Sequence, residues 1–257
     1  SAKESAGDAG TRWVASWGTA QMVPEPANLL PAEDWRNGSL RQIVRLSLAG
    51  TRVRVRVSNV FGTTPLTLEA ASIGLAVAPG RAEAVAGSLL TLTFGGQGSV
   101  LIPAGAEYYS DAVSLAHKAG SDLAVSLHFK GEPVRQTGHP GSRATSFVAR
   151  GNRVLEAAWP DARPVIGWYQ LADIEVAAPQ GAGAVVAIGD SITDGNGALA
   201  SCRRNVASSS NCIARSGQCS LRRMMSSWRM IAAAMSRCIS SRMVCCSCAE
   251  PSALLAL

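Results

Sequence analysis

Ser191 is the residue of this chain best placed to do chemistry. The run Val185-Val186-Ala187-Ile188 feeds directly into Gly189-Asp190-Ser191-Ile192-Thr193-Asp194-Gly195. A continuously apolar, β-branched-rich tetrapeptide predicts a strand buried on both faces. Gly189 relieves steric demand at the bend that follows. In open α/β sheets ligands bind outside the carboxyl ends of strands, which is where this hydroxyl would stand. The chemistry such a serine can do is nucleophilic acyl transfer, and for that it needs a general base held by a carboxylate. Asp190 and Asp194 flank it in the active-site turn with Gly189, while the three histidines, His117, His128 and His139, all precede it. His139 lies in Thr137-Gly138-His139-Pro140-Gly141, a loop by its Gly and Pro. A loop histidine at a domain junction can reach a serine through domain packing, and a Ser191–His139 dyad is the testable form of that idea. The competing reading is turn stabilisation. His117 and His128 fall in or near strand patterns and read as surface or satisfied structural residues.

The string Gly189-Asp190-Ser191-Ile192-Thr193-Asp194-Gly195 resembles the first block of the GDSL, or SGNH, hydrolases, a family of esterases, lipases and carbohydrate deacetylases. Upstream segments resemble the β-rich amino-terminal domain of some bacterial members: Trp13-Val14-Ala15-Ser16-Trp17, Leu40-Arg41-Gln42-Ile43-Val44-Arg45, Ser58-Asn59-Val60-Phe61-Gly62-Thr63-Thr64-Pro65-Leu66 and His139-Pro140-Gly141-Ser142-Arg143-Ala144-Thr145-Ser146. The likeness spans roughly residues 11 to 197. It implies Ser191 as the nucleophile that takes up the acyl group, with its backbone N–H as an oxyanion donor. It also implies chemistry that needs no cofactor and no metal. The family further supplies an oxyanion Gly, an Asn in a G-x-N-D block and a D-x-x-H pair near the carboxyl end. Neither the G-x-N-D block nor the D-x-x-H pair is present after Ser191, and after Asp194 the next acid is Glu250.

Composition changes abruptly at the same place. All seven cysteines lie between Cys202 and Cys248, and five of the six methionines between Met224 and Met243. From Ala198 to Leu257 there are thirteen serines, no lysine, and eight arginines against one acid, a formal +7; residues 1 to 197 carry 16 basic against 17 acidic residues, a formal −1. The high pI therefore belongs to the tail, and the near-neutral remainder carries no nucleic-acid footprint. The tail reads as an out-of-frame translation beginning shortly after Gly197. Two functional readings stand beside that one. Cys238, Cys245, Cys246 and Cys248 could act as thiolate ligands, although their spacing is not the paired pattern of a zinc ribbon. Residues 221–235 place Leu221, Met224, Met225, Trp228, Ile231, Ala232 and Met235 on one helical face and arginines largely on the other, a pattern able to lie on a membrane surface or dock in a groove.

The elements that must position these groups are mainly β. Val53, Val55 and Val57 alternate with Arg52, Arg54 and Arg56, which predicts a strand with valines on the core and arginines in solvent. The arginine ladder could also bind phosphates or an acidic glycan. Further strands are expected at Leu66–Leu75, Leu89–Phe94, Ser99–Ile102, Asp122–Phe129 and Ile166–Val176, punctuated by Gly and Pro. Many short strands with such breaks predict an antiparallel β-sandwich or jelly-roll-like domain over 11–178. An incomplete α/β segment of the SGNH type, truncated or out of frame, is expected over 184–257, because the 74 residues after Gly183 cannot hold several βαβ units of about thirty residues each.

Two function classes follow. The first is a serine ester hydrolase acting on short acyl or acetyl esters, including carbohydrate esters, with activity reduced if no histidine replaces the missing one. A general base contributes about 10²–10⁴-fold. The second is a catalytically inactive β-sandwich module that binds carbohydrate or another partner, with Trp35, Tyr108 and Tyr109 as aromatic candidates. No run of eighteen apolar residues is present, so no spanning helix is expected. A chain beginning at Ser1 without Met suits a secreted or periplasmic protein that has lost a signal peptide.

Overall fold

Alternation of valine and arginine along residues 53–57 does what period-two patterning demands. Val53, Val55 and Val57 are fully buried, while Arg52, Arg54 and Arg56 line the opposite face of the same strand. The computed structural model describes residues 11–142, 144–178, 181, 182 and 194. Ser191, Gly189 and Asp190, the cysteine cluster, the 221–235 face and the expected α/β segment lie outside the described residues, with Asp194 the exception.

In chain order the strands are β1 (Trp13–Gly18), β2 (Gly38–Arg45), β3 (Gly50–Ser58), β4 (Leu66–Leu75), β5 (Leu90–Leu92), β6 (Val100–Ile102), β7 (Glu107–Tyr109), β8 (Val113–His117), β9 (Asp122–Phe129), β10 (Gly138–His139), β11 (Thr145–Arg150), β12 (Arg163–Ile166), β13 (Trp168–Tyr169) and β14 (Leu171–Ala177). A single helical turn, α1 (Ala32–Trp35), precedes β2. One sheet runs β1-β14-β3-β7, with β8 also on β3; the other runs β12-β11-β2-β9-β4-β5, with β6 also on β4. Strands β10 and β13 form a separate two-stranded ribbon. Every named pairing is antiparallel, and the described residues are mainly β.

One core joins the two sheets. Val53, Val55, Ile174 and Val176 from the first share a buried cluster with Leu40, Leu68, Leu123 and Leu127 from the second. Burying a side chain of this size contributes about 1.5–3 kcal/mol, so this shared layer is the main source of stability. Trp35 caps it, edge-on to Phe129 at 5.0 Å and to Tyr169 at 6.5 Å. It is buried in the core, so its ring presents no face to a sugar.

Strands β4 and β9 have the bounds the patterning predicts, whereas the expected strands at 89–94 and 99–102 contract to three residues each. The larger difference lies at 166–176. The apolar pattern predicts one strand, and the chain instead makes three pieces, β12, β13 and β14. Gly167 at φ 117° and Gln170 at φ 54° break it. The arginine ladder also departs from its expected solvated state. Arg54 pairs with Glu175 at 2.6 Å, and Arg56 with Asp173 at 2.9 Å and Glu107 at 3.0 Å. The Arg54 guanidinium is sandwiched between Trp13 and Tyr109, 4.7 and 4.5 Å from the ring centroids. Tyr109 donates its hydroxyl to Glu175, and burial together with Asp173 and Glu175 pushes its ionisation upward. Neutralised and half-covered, the ladder is a cross-strand network and not a free cationic stripe.

Candidate functional site

The break at 167–170 creates the partner strand for His139. Instead of lying in an open loop, as its Gly and Pro neighbours predict, His139 is the second residue of β10 and pairs with Trp168 of β13. The approach to it is clamped from several sides. The Gln136 amide brackets Leu30, accepting from its N at 3.0 Å and donating to its O at 2.7 Å. Thr137 donates its N–H to Gln170 Oε1 at 2.7 Å and accepts from Gln170 N at 2.9 Å. Gly138 exchanges two backbone hydrogen bonds with Met22, and a Cβ there would stand 2.6 Å from the Trp168 carbonyl, so glycine is required for the close strand contact. The ribbon itself is tied to the second sheet by Gln42 of β2, whose amide exchanges hydrogen bonds with the Tyr169 backbone at 2.7 and 2.8 Å.

The His139 imidazole is 2% exposed and stacked on Trp168, with centroids 6.2 Å apart and planes 19° from parallel. Its Nε2 lies 3.1 Å from Asp194 Oδ1. An ionised carboxylate only accepts, so Nε2 carries a proton and donates to it. Nδ1 is buried and meets no partner among the described residues. After His139 the chain makes a 3-10 turn, Pro140–Ser142. At Gly141 a Cβ would approach Asp194 Oδ2 to 2.8 Å, so the absent side chain is what lets the carboxylate in.

Of the expected site residues, the structure brings together His139 and Asp194, which are 55 positions apart in the chain. Sequence reading places Asp194 in the active-site turn but has no means of pairing it with a histidine. Gly141, Trp168 and Gln170 are missed altogether. The only hint of the first is its place in His139-Pro140-Gly141, and Trp168 and Gln170 are hidden inside a strand-like apolar run.

A second serine–histidine–acid grouping, Ser39, His128 and Glu69, has different chemistry. Ser39 is fully buried, donates to the Gly151 carbonyl at 2.6 Å and accepts from Arg153 N at 3.0 Å. His128 Nδ1 is 3.0 Å from the Gly38 carbonyl, so it carries a proton and cannot take one from the serine 3.3 Å away. This is a latch joining β2, β9 and the 151–153 loop. His117 is likewise structural, with Nδ1 donating to the Leu115 carbonyl at 2.9 Å. Among the described residues no group of three or more His, Cys, Asp or Glu could hold a metal, and no helix is long and apolar enough to cross a membrane. Of the aromatic candidates, Tyr108 packs against the core and Tyr109 is engaged with Arg54 and Glu175. In comparison with known proteins, the chain matches no family model and no curated protein.

Proposed function

We propose that this chain is a serine ester hydrolase of the GDSL type acting on short acyl or acetyl esters, with Ser191 as nucleophile, His139 as general base and Asp194 as the carboxylate that orients it. One observation carries the reading. A buried imidazole is held by a carboxylate through Nε2, its Nδ1 meets no partner among the described residues, and that carboxylate stands three residues beyond the serine of the Gly189-Asp190-Ser191 sequence. Nucleophile, base and orienting acid are the three roles such chemistry requires. Here the β-rich part of the chain supplies the base that the carboxyl-terminal D-x-x-H pair supplies in the family it resembles.

In this reading His139 Nδ1 takes the Ser191 proton as the hydroxyl attacks the ester carbonyl, and returns it to the departing alcohol. Asp194 fixes the tautomer and stabilises the imidazolium that forms between those steps. The test is hydrolysis of p-nitrophenyl acetate by the purified chain beside Ser191→Ala and His139→Ala. Both substitutions are expected to bring the rate to background, with His139→Ala costing about 10²–10⁴-fold. Equal rates in the parent and Ser191→Ala would overturn the reading and leave a binding module. Unchanged turnover in His139→Ala alone would remove the histidine.

A further inference from the structure

A single hydrogen bond fixes where an imidazole nitrogen points and leaves the ring free to turn about that bond. The torsion that sets the plane of a histidine ring is broad, so packing has to select it. The His139 side chain donates from Nε2 to Asp194 Oδ1 at 3.1 Å, and its Nδ1 meets no partner among the described residues. The contact that can fix the plane is with Trp168. This residue lies opposite His139 in the β10–β13 register, and its ring stacks on the imidazole with 6.2 Å between centroids and 19° between planes. Trp168 is held in turn by Trp17, whose ring meets it edge-on at 4.8 Å and 86°. A β-bulge brings Trp17 there. Along β1, Trp13, Ala15 and Trp17 share a parity, and Ala15 opposes Glu175, which faces the arginine network. The register shifts between Ala15 and Trp17, so Trp17 opposes Ile174 and lies with it in the core. Bulges re-aim side chains in this way. The backbone of Trp168 has little slack either. Its carbonyl would stand 2.6 Å from a Cβ on residue 138, and Gly167 before it holds a φ of 117°. Ring contacts therefore lead from the core through Trp17 and Trp168 to the histidine that meets Asp194.

We propose that Trp168 is a positioning residue for His139: its indole face, braced by Trp17, selects the imidazole plane in which Nε2–H meets the Asp194 carboxylate. Without that face the ring turns through planes in which Nε2–H points away from Oδ1, and the bond is made for a smaller fraction of the time. The kinetic consequence rests on the hydrolase reading above, whereas the hydrogen bond itself does not.

Trp168→Leu removes the face and Trp168→Phe supplies another. Solvent exchange of the His139 Nε2–H proton, identified by the loss of its resonance in His139→Gln, reports how often the bond to Asp194 opens. Trp168→Leu is expected to speed that exchange at least about tenfold, and Trp168→Phe to bring it back to within about threefold of the parent. The backbone amides of Val53 and Leu127 in the core are expected to exchange as in the parent, which separates loss of positioning from loss of stability. Trp168→Met, with similar bulk and no flat face, gives the same reading should Trp168→Leu not fold. In kinetics with p-nitrophenyl acetate, Trp168→Leu is expected to lower kcat about tenfold with KM unchanged, and Trp168→Phe to recover it. An Nε2–H that exchanges alike in the parent and Trp168→Leu, or too fast to be seen in the parent, overturns the positioning role whatever the activity. An active protein whose kcat is indifferent to Trp168→Leu also overturns it, and leaves the hydrolase reading intact. If exchange responds as expected while the parent hydrolyses no ester, the hold of Trp168 on His139 stands and the hydrolase reading falls.

Discussion

Gly141 illustrates how a residue without a side chain can decide a site. A methyl group there would press on Asp194 Oδ2 at 2.8 Å, and a carboxylate at the end of a flexible side chain yields easily. The fold therefore tolerates the change, and the hydrogen bond to His139 does not. Gly141→Ala is expected to leave the melting temperature within about 2 °C while lowering Ser191-dependent hydrolysis at least about tenfold, since a small misplacement of a catalytic group costs up to about 10²-fold. Steady-state kinetics beside a thermal melt would read both. Wild-type activity in that variant would mean the Asp194 carboxylate does not orient the base. Asp111 is a second carboxylate with a defined task. It accepts from Thr93 Oγ1 at 2.6 Å, Gly96 N at 2.7 Å and Gly95 N at 3.1 Å. Burial pushes its pKa up, but these three donors outweigh that and hold it below the usual carboxylate value. A depressed acid adds stability that is fully present above its unfolded pKa of about 3.9 and lost as the pH falls through its folded value. The difference in melting temperature between the parent and Asp111→Ala should thus be constant above about pH 5 and shrink toward pH 2.

At the scale of elements, the instructive stretch is 163–177. Strand β12 pairs with β11 in one sheet and β14 with β3 and β1 in the other, so the chain crosses between sheets within a few residues. The crossing needs two backbone conformations unavailable to a regular strand, at Gly167 and Gln170, and the two residues between them are β13. Gly167→Ala places a Cβ 3.3 Å from Pro140 Cα and forces a φ of 117° on an L-residue. It should cost about 1–3 kcal/mol, read as a shift of the urea midpoint. It should also lower hydrolysis, because Pro140 follows His139 directly. A midpoint unchanged within error would show that the crossing can be rebuilt without a glycine. Tyr169 reports on the same element. Its hydroxyl donates to the Ile166 carbonyl at 2.6 Å, and burial, with Asp34 nearby, pushes its pKa up to about 12.

For the molecule as a whole, two sheets around one apolar core leave long connections that must be fastened down, and polar side chains buried in the sheets do this. Arg41 of β2 is fully buried, with its guanidinium 4.1 Å from the Trp159 ring centroid. It donates to Ser126 Oγ at 2.8 Å and to the carbonyls of Ala82 at 2.7 Å, Glu156 at 2.8 Å and Ala157 at 3.2 Å. Desolvation lowers its pKa to about 10, only partly opposed by Glu156. Arg41→Met leaves those acceptors without a donor at about 1–3 kcal/mol each, offset by relief from burying a cation. A net loss of about 3 kcal/mol is expected from denaturant unfolding, with amide exchange accelerating first in residues 151–162. A neutral result would place the fastening of that loop in Trp159 and Ser72, whose side chains donate to the Arg153 and Val154 carbonyls respectively.

The sequence by itself determined what local pattern can encode. Strands long enough to show a period, such as Val53-Val55-Val57, Leu66–Leu75 and Asp122–Phe129, were legible because alternation or a sustained apolar run fixes which face is buried. The Gly189-Asp190-Ser191 turn is an expectation from contiguous residues alone and lies outside the described residues. Strands β7 and β10, of three and two residues, have too few positions to carry a period and were not expected, whereas the equally short β5 and β6 are the remnants of longer apolar runs. The sequence also could not say that the apolar run at 166–176 would break, since only competition between two sheets for its two ends makes the break favourable. Above all, it could not join His139 to Asp194. That pair depends on the register of β10 against β13, on the turn at Gly141 and on the clamps from Gln42 and Gln170, each a contact between segments remote in the chain. Tertiary structure decided which histidine meets Asp194, because hydrogen bonds across sheets depend on register and depth of burial, which no local spacing records.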